Sequence, residues 1–95
     1  MRMLHEQVDI LKKEITAILP DAIVYLFGSR VDDNKKGGDI DIMILSNRKI
    51  NWKEKAIIRW HYFGKFGEQK LDIISFTFKE ETIFKQIVLQ EGIRL

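Results

Sequence analysis

Two aspartates alternate with isoleucines in the segment Asp39-Ile40-Asp41-Ile42. Because side chains alternate across a β-strand, we expect both carboxylates on one face and both isoleucines on the other. Aspartate is depleted from strands and is almost never buried without a partner, so this pair needs an explanation. Carboxylate oxygens are the ligands that Mg²⁺ and Mn²⁺ prefer, and Mg²⁺ typically takes one or two of them together with phosphate oxygens and water. The segment therefore indicates a site for such ions.

A third aspartate, Asp72, lies within the apolar segment 70–76. If it converges with the first two, the three carboxylates repel one another unless a cation neutralises them. The alternative needs no metal: Asp39 is then an edge residue, and Asp72 pairs with a lysine such as Lys70.

Gly28-Ser29 ends the apolar run 22–27 and comes one short loop before Asp39. A glycine directly after a strand lets a phosphate approach the backbone amides, and a hydroxyl adds a donor. Taken alone, such a pair more often forms only a turn. Beside carboxylate-bound metal ions, however, a phosphate-binding turn is the apparatus of phosphoryl or nucleotidyl transfer.

Hydrophobic periodicity predicts the elements that hold these residues. We expect helices over 3–19, 52–66 and 79–91, and strands over 22–27, 39–45 and 70–76. With a brief helical turn at 28–30, the order alternates as αβαβαβα, an α+β fold with a small mixed sheet flanked by helices. The first two strands are joined by about eleven residues, too few for a parallel crossover, so they should run antiparallel.

The helix predicted over 52–66 has an unusually wide apolar face. It carries two neighbouring stripes: Trp52, Ala56, Trp60 and Phe63, and beside them Ile58, Tyr62 and Phe66. Core packing explains such a face. Alternatively, part of it is a partner surface, since exposed aromatic patches usually mark one.

The composition limits the other classes of function. The 95 residues, 45% apolar with one proline, suit one globular domain over 1–95. The absence of cysteine excludes disulfides and thiolate metal sites. No apolar run approaches the roughly 18 residues of a membrane helix, and the charged N-terminus lacks a signal-peptide core, so we expect no membrane association and a cytoplasmic location. A net charge of +2 does not favour nucleic acid as a partner.

The motif as a whole resembles a known family. It is similar to the motif of the nucleotidyltransferase superfamily that includes DNA polymerase β. The similarity comprises an apolar strand followed by Gly28-Ser29, then nine residues, Asp39-Ile40-Asp41-Ile42 and a later apolar-Asp-apolar strand. The short length and the Gly-Ser-Arg start resemble its minimal branch, the MNT proteins that pair with HEPN-domain partners.

This resemblance implies a role for each matching residue. Gly28 and Ser29 would hold the triphosphate of a nucleotide, and Arg30 would contact a phosphate. The metal ligands would be three acids, of which the third would also help to activate the acceptor hydroxyl: Asp39, Asp41 and Asp72. Two Mg²⁺ ions are implied, with Mn²⁺ as the substitute. The chain departs from the frequent Arg-x-Arg-Gly start of the branch, so a second basic contact after Arg30 is missing.

The implied function is metal-dependent transfer of AMP from ATP to a hydroxyl, such as a tyrosine of a HEPN toxin, which would make the chain an antitoxin. The alternative is a non-catalytic module that neutralises or scaffolds a HEPN-type partner through residues 52–66 and the C-terminal surface. The sequence has nothing obvious that reads a base, so we expect a second copy or another protein to complete the site.

Overall fold

A computed structural model describes residues 5–28, 40–67 and 70–95 of the chain. In chain order the elements are α1 (His5–Ile18), β1 (Ile23–Phe27), β2 (Ile40–Ser46), α2 (Trp52–Phe66), β3 (Leu71–Thr77), α3 (Ile83–Glu91) and β4 (Ile93–Arg94). The brief helical turn predicted after Gly28 falls largely in 29–39, outside the described residues.

The four strands form one mixed sheet in the order β3-β2-β1-β4. β1 runs antiparallel to β2, as predicted from their short connection, and also antiparallel to β4. β2 and β3 are parallel, and α2 forms the crossover between them. The predicted α+β class, a small mixed sheet flanked by helices, is therefore confirmed.

One face of the sheet packs against α1 and α2. In β2, Ile40, Ile42 and Ile44 point into this layer and are fully buried. The layer is an apolar core built from both helices and three strands, together with the loops that join them: Leu11, Ile15, Leu19, Val24, Leu26, Ile40, Ile42, Ile44, Ile50, Ile58, Tyr62, Leu71 and Ile73. The predicted alternation of β2 thus places its isoleucines in the core and leaves Asp41 on the opposite face.

The opposite face packs against α3 over a smaller area. Met43 and Leu45 of β2 meet Val88 of α3, and the partly buried Phe27 and Phe76 pack against this cluster. β2 is consequently buried on both faces along most of its length, as expected for a central strand.

The bounds of α2 agree with the prediction because local signals fix its start. The Asn51 side chain accepts a hydrogen bond from the Glu54 N–H at 2.9 Å, and the Glu54 carboxylate accepts one from the Asn51 N–H at 3.0 Å. Arg48 also donates two hydrogen bonds of 2.8 Å to Glu54. The helix ends at Gly67, whose φ of 79° is left-handed.

The predicted start of the last helix at residue 79 is wrong. Thr77 and Glu80 form a turn through reciprocal hydrogen bonds of 3.1 and 3.2 Å, and α3 begins only at Ile83, after the N-cap Thr82. The buried Lys85 fixes this turn by donating to the carbonyl oxygens of Thr77, Phe78 and Glu80 at 3.3, 2.9 and 2.7 Å.

The short strand β4 was not predicted. It follows α3 directly and pairs with the outer edge of β1. Gly92 makes this connection possible, since a Cβ there would lie 2.6 Å from the Val88 carbonyl oxygen and 2.9 Å from that of Leu26. None of the helices within 5–28, 40–67 and 70–95 has the length and apolar character needed to span a membrane.

Candidate active site

Three residues on adjacent strands form a row across the α3 face of the sheet. Phe27 of β1 lies opposite Asp41 of β2, and Asp41 lies opposite Asp72 of the parallel strand β3. Residues in register on neighbouring strands share a face, and the strands are about 4.8 Å apart. The sheet therefore brings the Asp41 and Asp72 carboxylates side by side, although 30 residues separate them along the chain.

Asp41 occupies the place where the central strand opens towards solvent. The other six residues of β2 are buried, whereas Asp41 is only partly buried. Asp72 is likewise partly exposed on β3. A carboxylate here keeps access to water and to ligands, so it escapes the large cost of a charge buried without a partner.

Gly28, directly after β1, lies against the Asp41 carboxylate. Its φ of 78° is left-handed, a conformation that side chains with a Cβ adopt only at a cost. A Cβ at this position would also overlap the Asp41 Oδ2 atom. The position therefore needs glycine for two separate reasons, and the backbone of Gly28 is held next to an acidic oxygen.

The lysine partner considered for Asp72 is present. Lys70 Nζ lies 3.8 Å from Asp72 Oδ2, and both side chains are substantially exposed. A pair of this length and exposure is worth little, because water and salt compete with it. The contact is therefore compatible with a second role for Asp72 beside Asp41.

Half of the predicted site residues can be placed. Gly28, Asp41 and Asp72 come together at one end of the sheet, where the C-terminal end of β1 meets the N-terminal ends of β2 and β3. The other three predicted site residues, Ser29, Arg30 and Asp39, lie outside the described residues.

The Asp41 and Asp72 pair suits a hard divalent cation. Mg²⁺ commonly takes one or two carboxylates and fills its remaining positions with water and phosphate oxygens, so these two side chains would be sufficient protein ligands. Within the described part of the chain, no group of three or more His, Cys, Asp or Glu residues is arranged to hold a metal. The third predicted ligand, Asp39, lies outside that part.

A cleft of about 280 Å³ adjoins this site on the side of α3. It is lined by the end of β1, the side of α3 that faces β1 and the start of the turn into β4: Phe27, Gly28, Phe84, Ile87, Val88, Glu91 and Gly92. Sequence reasoning missed this cleft, because it depends on β4 returning the end of α3 to the edge of β1. Gly28 borders both the cleft and the acidic pair.

The family model described as "Polymerase beta, Nucleotidyltransferase" matches residues 5–95. The chain belongs to this nucleotidyltransferase family. The match confirms the superfamily indicated by the Gly-Ser and Asp-Ile-Asp-Ile motifs. No protein of curated function matches the chain significantly.

Solved structures with the same fold include toxin–antitoxin complexes. A mutant form of the toxin–antitoxin complex MntA–HpeT matches with a TM-score of 0.65 and 22% identity, over 97% of this chain and 71% of that chain. A tri-AMPylated HEPN toxin from Shewanella oneidensis in complex with its MNT antitoxin matches with a TM-score of 0.59 and 21% identity, over 93% and 70%. A further Shewanella oneidensis structure matches with a TM-score of 0.61 and 16% identity, over 97% and 71%. At these identities the likeness shows the fold.

A second polar cluster of this nucleotidyltransferase-family chain lies at the other end of the sheet. Asp21 accepts hydrogen bonds from the Ser46 hydroxyl at 2.6 Å and from the Asn47 N–H at 2.9 Å. The Ser46 hydrogen bond lowers the pKa of the Asp21 carboxyl below its usual value. Ser46 follows Asp41 by five strand residues, or about 17 Å. The Asp21 cluster therefore joins the ends of β1 and β2 and takes no part in the acidic pair.

The wide apolar face predicted for α2 is divided between core and solvent. Ile58 and Tyr62 are fully buried, whereas Trp52 and Trp60 are 74% and 77% exposed. The two tryptophans are eight residues apart on one helix, or about 12 Å. A large apolar surface of this kind in contact with water is typical of a binding face. The stripe nearest the core is therefore structural. In the tryptophan stripe, Trp52 and Trp60 lie on the surface, whereas Phe63 packs against the core.

Proposed function

We propose that this chain is a metal-dependent nucleotidyltransferase that moves AMP from ATP to a hydroxyl acceptor. The observation that carries the proposal is the meeting of Gly28, Asp41 and Asp72 at one end of the sheet in a member of this family. A glycine turn that a phosphate can approach, next to paired carboxylates that suit Mg²⁺ or Mn²⁺, is the arrangement that nucleotidyl transfer requires.

In this proposal the nucleotide is held by its phosphates. The backbone around Gly28 and Ser29 donates N–H groups to the triphosphate, and Arg30 adds a positive charge. Asp39, Asp41 and Asp72 hold the two Mg²⁺ or Mn²⁺ ions. When bound, the ions neutralise phosphate charge and stabilise the attacking and leaving oxygens.

The transfer makes one bond and breaks one. The acceptor hydroxyl oxygen bonds to the α-phosphorus of ATP, the bond to the bridging oxygen of the β-phosphate breaks, and pyrophosphate leaves. Asp72 accepts the hydroxyl proton, because its partly exposed carboxylate on β3 is able to approach an acceptor arriving from solvent.

The acceptor in this proposal is a tyrosine of a HEPN-type partner, which gives the chain an antitoxin role. Support comes from the Shewanella oneidensis complex, in which the HEPN toxin is tri-AMPylated and is bound to an MNT antitoxin. The exposed Trp52 and Trp60 are consistent with a chain that binds another protein.

A transfer assay with two labels tests this function. The chain, Mg²⁺ and a HEPN-type protein are incubated with ATP labelled at either the α- or the γ-phosphate. Transfer of AMP labels the acceptor from α-labelled ATP alone, whereas phosphorylation would label it from γ-labelled ATP. We expect Asp41→Asn and Asp39→Asn to lower transfer by about 100-fold or more, because each removes a metal-ligating charge.

Asp9→Asn is the matched control, since Asp9 is an exposed aspartate on α1, away from the site. It should transfer like the wild type. Retained transfer in Asp41→Asn, or labelling from the γ-phosphate, would show that the chain does not perform this reaction through these residues.

The second candidate function is a partner-binding module that neutralises a HEPN-type protein without transfer. The exposure of Trp52 and Trp60 favours it, because this stripe needs no catalysis to bind a partner. It predicts a stable complex that is never labelled, and whose affinity is unchanged by Asp41→Asn.

A further inference from the structure

We propose that the cleft between the end of β1 and α3 binds the base of the nucleotide. This inference rests on the proposed nucleotidyl transfer and supplies what the sequence did not reveal, an element of the chain itself that recognises the base. The sites for the phosphates and for the base would share one residue, Gly28, which contacts the Asp41 carboxylate and also lines the cleft.

The position of the cleft favours a ligand that is already held at Gly28. Phe27 continues the row of Asp72 and Asp41 by one strand, and its side chain forms a wall of the cleft. Phe27 also directly precedes Gly28, so a nucleotide whose phosphates lie at Gly28 has this wall beside it. The rest of the molecule extends away from the two acids towards α3.

The lining of the cleft suits a flat aromatic ring. Phe27 and Phe84 meet edge to face, with ring centroids 5.3 Å apart. Phe84 also packs on Phe76 of β3, with centroids 6.2 Å apart, so its ring is held from two sides. Phe84 nevertheless stays 40% exposed, and the neighbouring Ile87 stays 48% exposed. Apolar side chains that are fixed by packing but remain exposed to solvent form a surface on which a nucleobase can stack.

The cleft has a volume of about 280 Å³. Pockets that enclose complete small ligands run from about 300 to 1,000 Å³. The cleft is therefore suited to the base and part of the sugar, and leaves the charged triphosphate outside, at Gly28 and the acids. Apolar walls would be a poor environment for those phosphates.

Glu91 supplies the polar group of the cleft. It is the charged side chain among the lining residues and lies at the end of α3. A carboxylate accepts hydrogen bonds and donates none, so it favours a base that presents an amino group. Adenine presents its 6-amino group in this way. Glu91 is thus assigned as a specificity-determining residue for an amino-bearing purine.

The experiment compares three ligands by calorimetry, each with Mg²⁺: ATP, inorganic tripolyphosphate, and the triphosphate of purine riboside, which has hydrogen in place of the 6-amino group. We expect Phe84→Ala and Ile87→Ala to weaken ATP binding about tenfold. Binding of tripolyphosphate, which has no base, should not change. Glu91→Ala should reduce the preference for ATP over the purine riboside analogue.

Two matched controls separate the cleft from the general effect of truncating a half-exposed apolar side chain near α3. Phe78 and Leu89 are 42% and 41% exposed, which is similar to the exposed fractions of Phe84 and Ile87, but neither residue lines the cleft. Phe78→Ala and Leu89→Ala should therefore bind all three ligands like the wild type. The free energy of unfolding, measured for all five variants, shows whether each one is folded under the binding conditions.

The possible results separate this inference from the proposed function. If ATP and tripolyphosphate weaken equally in the Phe84 and Ile87 variants, or if neither ligand weakens, the base does not bind in this cleft, although the transfer reaction can still stand. If the wild type binds neither ligand and transfers no AMP, both proposals fail together. Selective loss of ATP binding, with normal controls, supports the cleft as the base site.

Discussion

Gly28 is packed against the Asp41 carboxylate so closely that a single added carbon would overlap an oxygen of the acid. The contact joins the turn after β1 to the central strand β2. It also couples two requirements of the site, a backbone that a phosphate can approach and a carboxylate that can hold a metal ion. Displacing either Gly28 or Asp41 should therefore impair both phosphate binding and metal binding.

Replacing Gly28 tests this coupling. Gly28→Ala should destabilise the fold by about 1–2 kcal/mol from the left-handed backbone alone, and should also push Asp41 out of position. Nucleotide affinity and the transfer rate should decrease by more than the loss of folded protein accounts for. Gly64→Ala is the control, because Gly64 lies inside α2 and a Cβ there would have no atom within 4 Å. It should stabilise the protein by about 0.5–1 kcal/mol in urea unfolding. Normal nucleotide binding by Gly28→Ala would contradict the coupling.

Asp72 and Lys70 provide a test of catalytic against structural roles. If Asp72 serves only to pair with Lys70, then Asp72→Asn and Lys70→Gln should have equal effects on every property. We expect instead that Asp72→Asn lowers transfer by about 100-fold or more, because the proton acceptor is lost. Lys70→Gln should retain transfer. Since the pair is exposed at 3.8 Å, each change should alter the free energy of unfolding by less than about 1 kcal/mol.

The contrast between α2 and α3 shows where local sequence is informative. α2 begins at Trp52, as predicted, because Asn51 and Glu54 cap it with their own side chains. α3 begins four residues later than its periodicity suggested. The reason is the side chain of Lys85, which binds three carbonyl oxygens of the preceding turn and so favours the turn over another helical turn. Periodicity does not record such contacts.

The candidate site shows the same division. Alternation along β2 correctly separated its isoleucines from Asp41, because that pattern is local. Whether Asp72 lies beside Asp41 depended on the register between two parallel strands that 24 residues separate, which sequence alone left open. Predicting the cleft would require two further long-range arrangements: α3 must return along the sheet, and β4 must pair with the edge of β1. Contacts across the sheet, rather than segments, determine these features.

Lys85 itself yields a stability prediction. Lys85→Met keeps the length of the side chain and its apolar stem but removes the donor to Thr77, Phe78 and Glu80. Partly buried carbonyl oxygens left without a donor cost about 1–3 kcal/mol, and the start of α3 should loosen. Urea unfolding measures the loss, and hydrogen exchange at the start of α3 measures the loosening. The control is Lys79→Met, at an exposed lysine in the same turn. An equal loss of unfolding free energy in both variants would show that the Lys85 hydrogen bonds do not stabilise this turn.

Glu54 makes the stability of the fold depend on pH. The hydrogen bonds from Arg48, followed by that from the Asn51 backbone, lower the pKa of Glu54 from 4.5 to about 2. Because the folded pKa is the lower one, the contribution of Glu54 is complete above about pH 5 and is lost as the pH falls towards 2. The difference in free energy of unfolding between the wild type and Glu54→Gln should shrink over that range. Arg48→Gln should reduce this pH dependence without abolishing it, since the Asn51 N–H remains. Parallel curves for the wild type and Glu54→Gln would contradict the assignment.

Trp52 and Trp60 should matter to a partner and not to the fold. At 74% and 77% exposure their indoles contribute little to the core, so Trp52→Ala and Trp60→Ala should change the free energy of unfolding by less than about 0.5 kcal/mol. Exposed tryptophans that become buried in an interface are typical binding hot spots, so each variant should weaken the proposed complex with a HEPN-type protein about tenfold or more. Calorimetric titration measures the loss. Ile83→Ala is the control, because Ile83 is 79% exposed but lies on α3. If the complex keeps its affinity in both tryptophan variants, α2 does not form the partner surface.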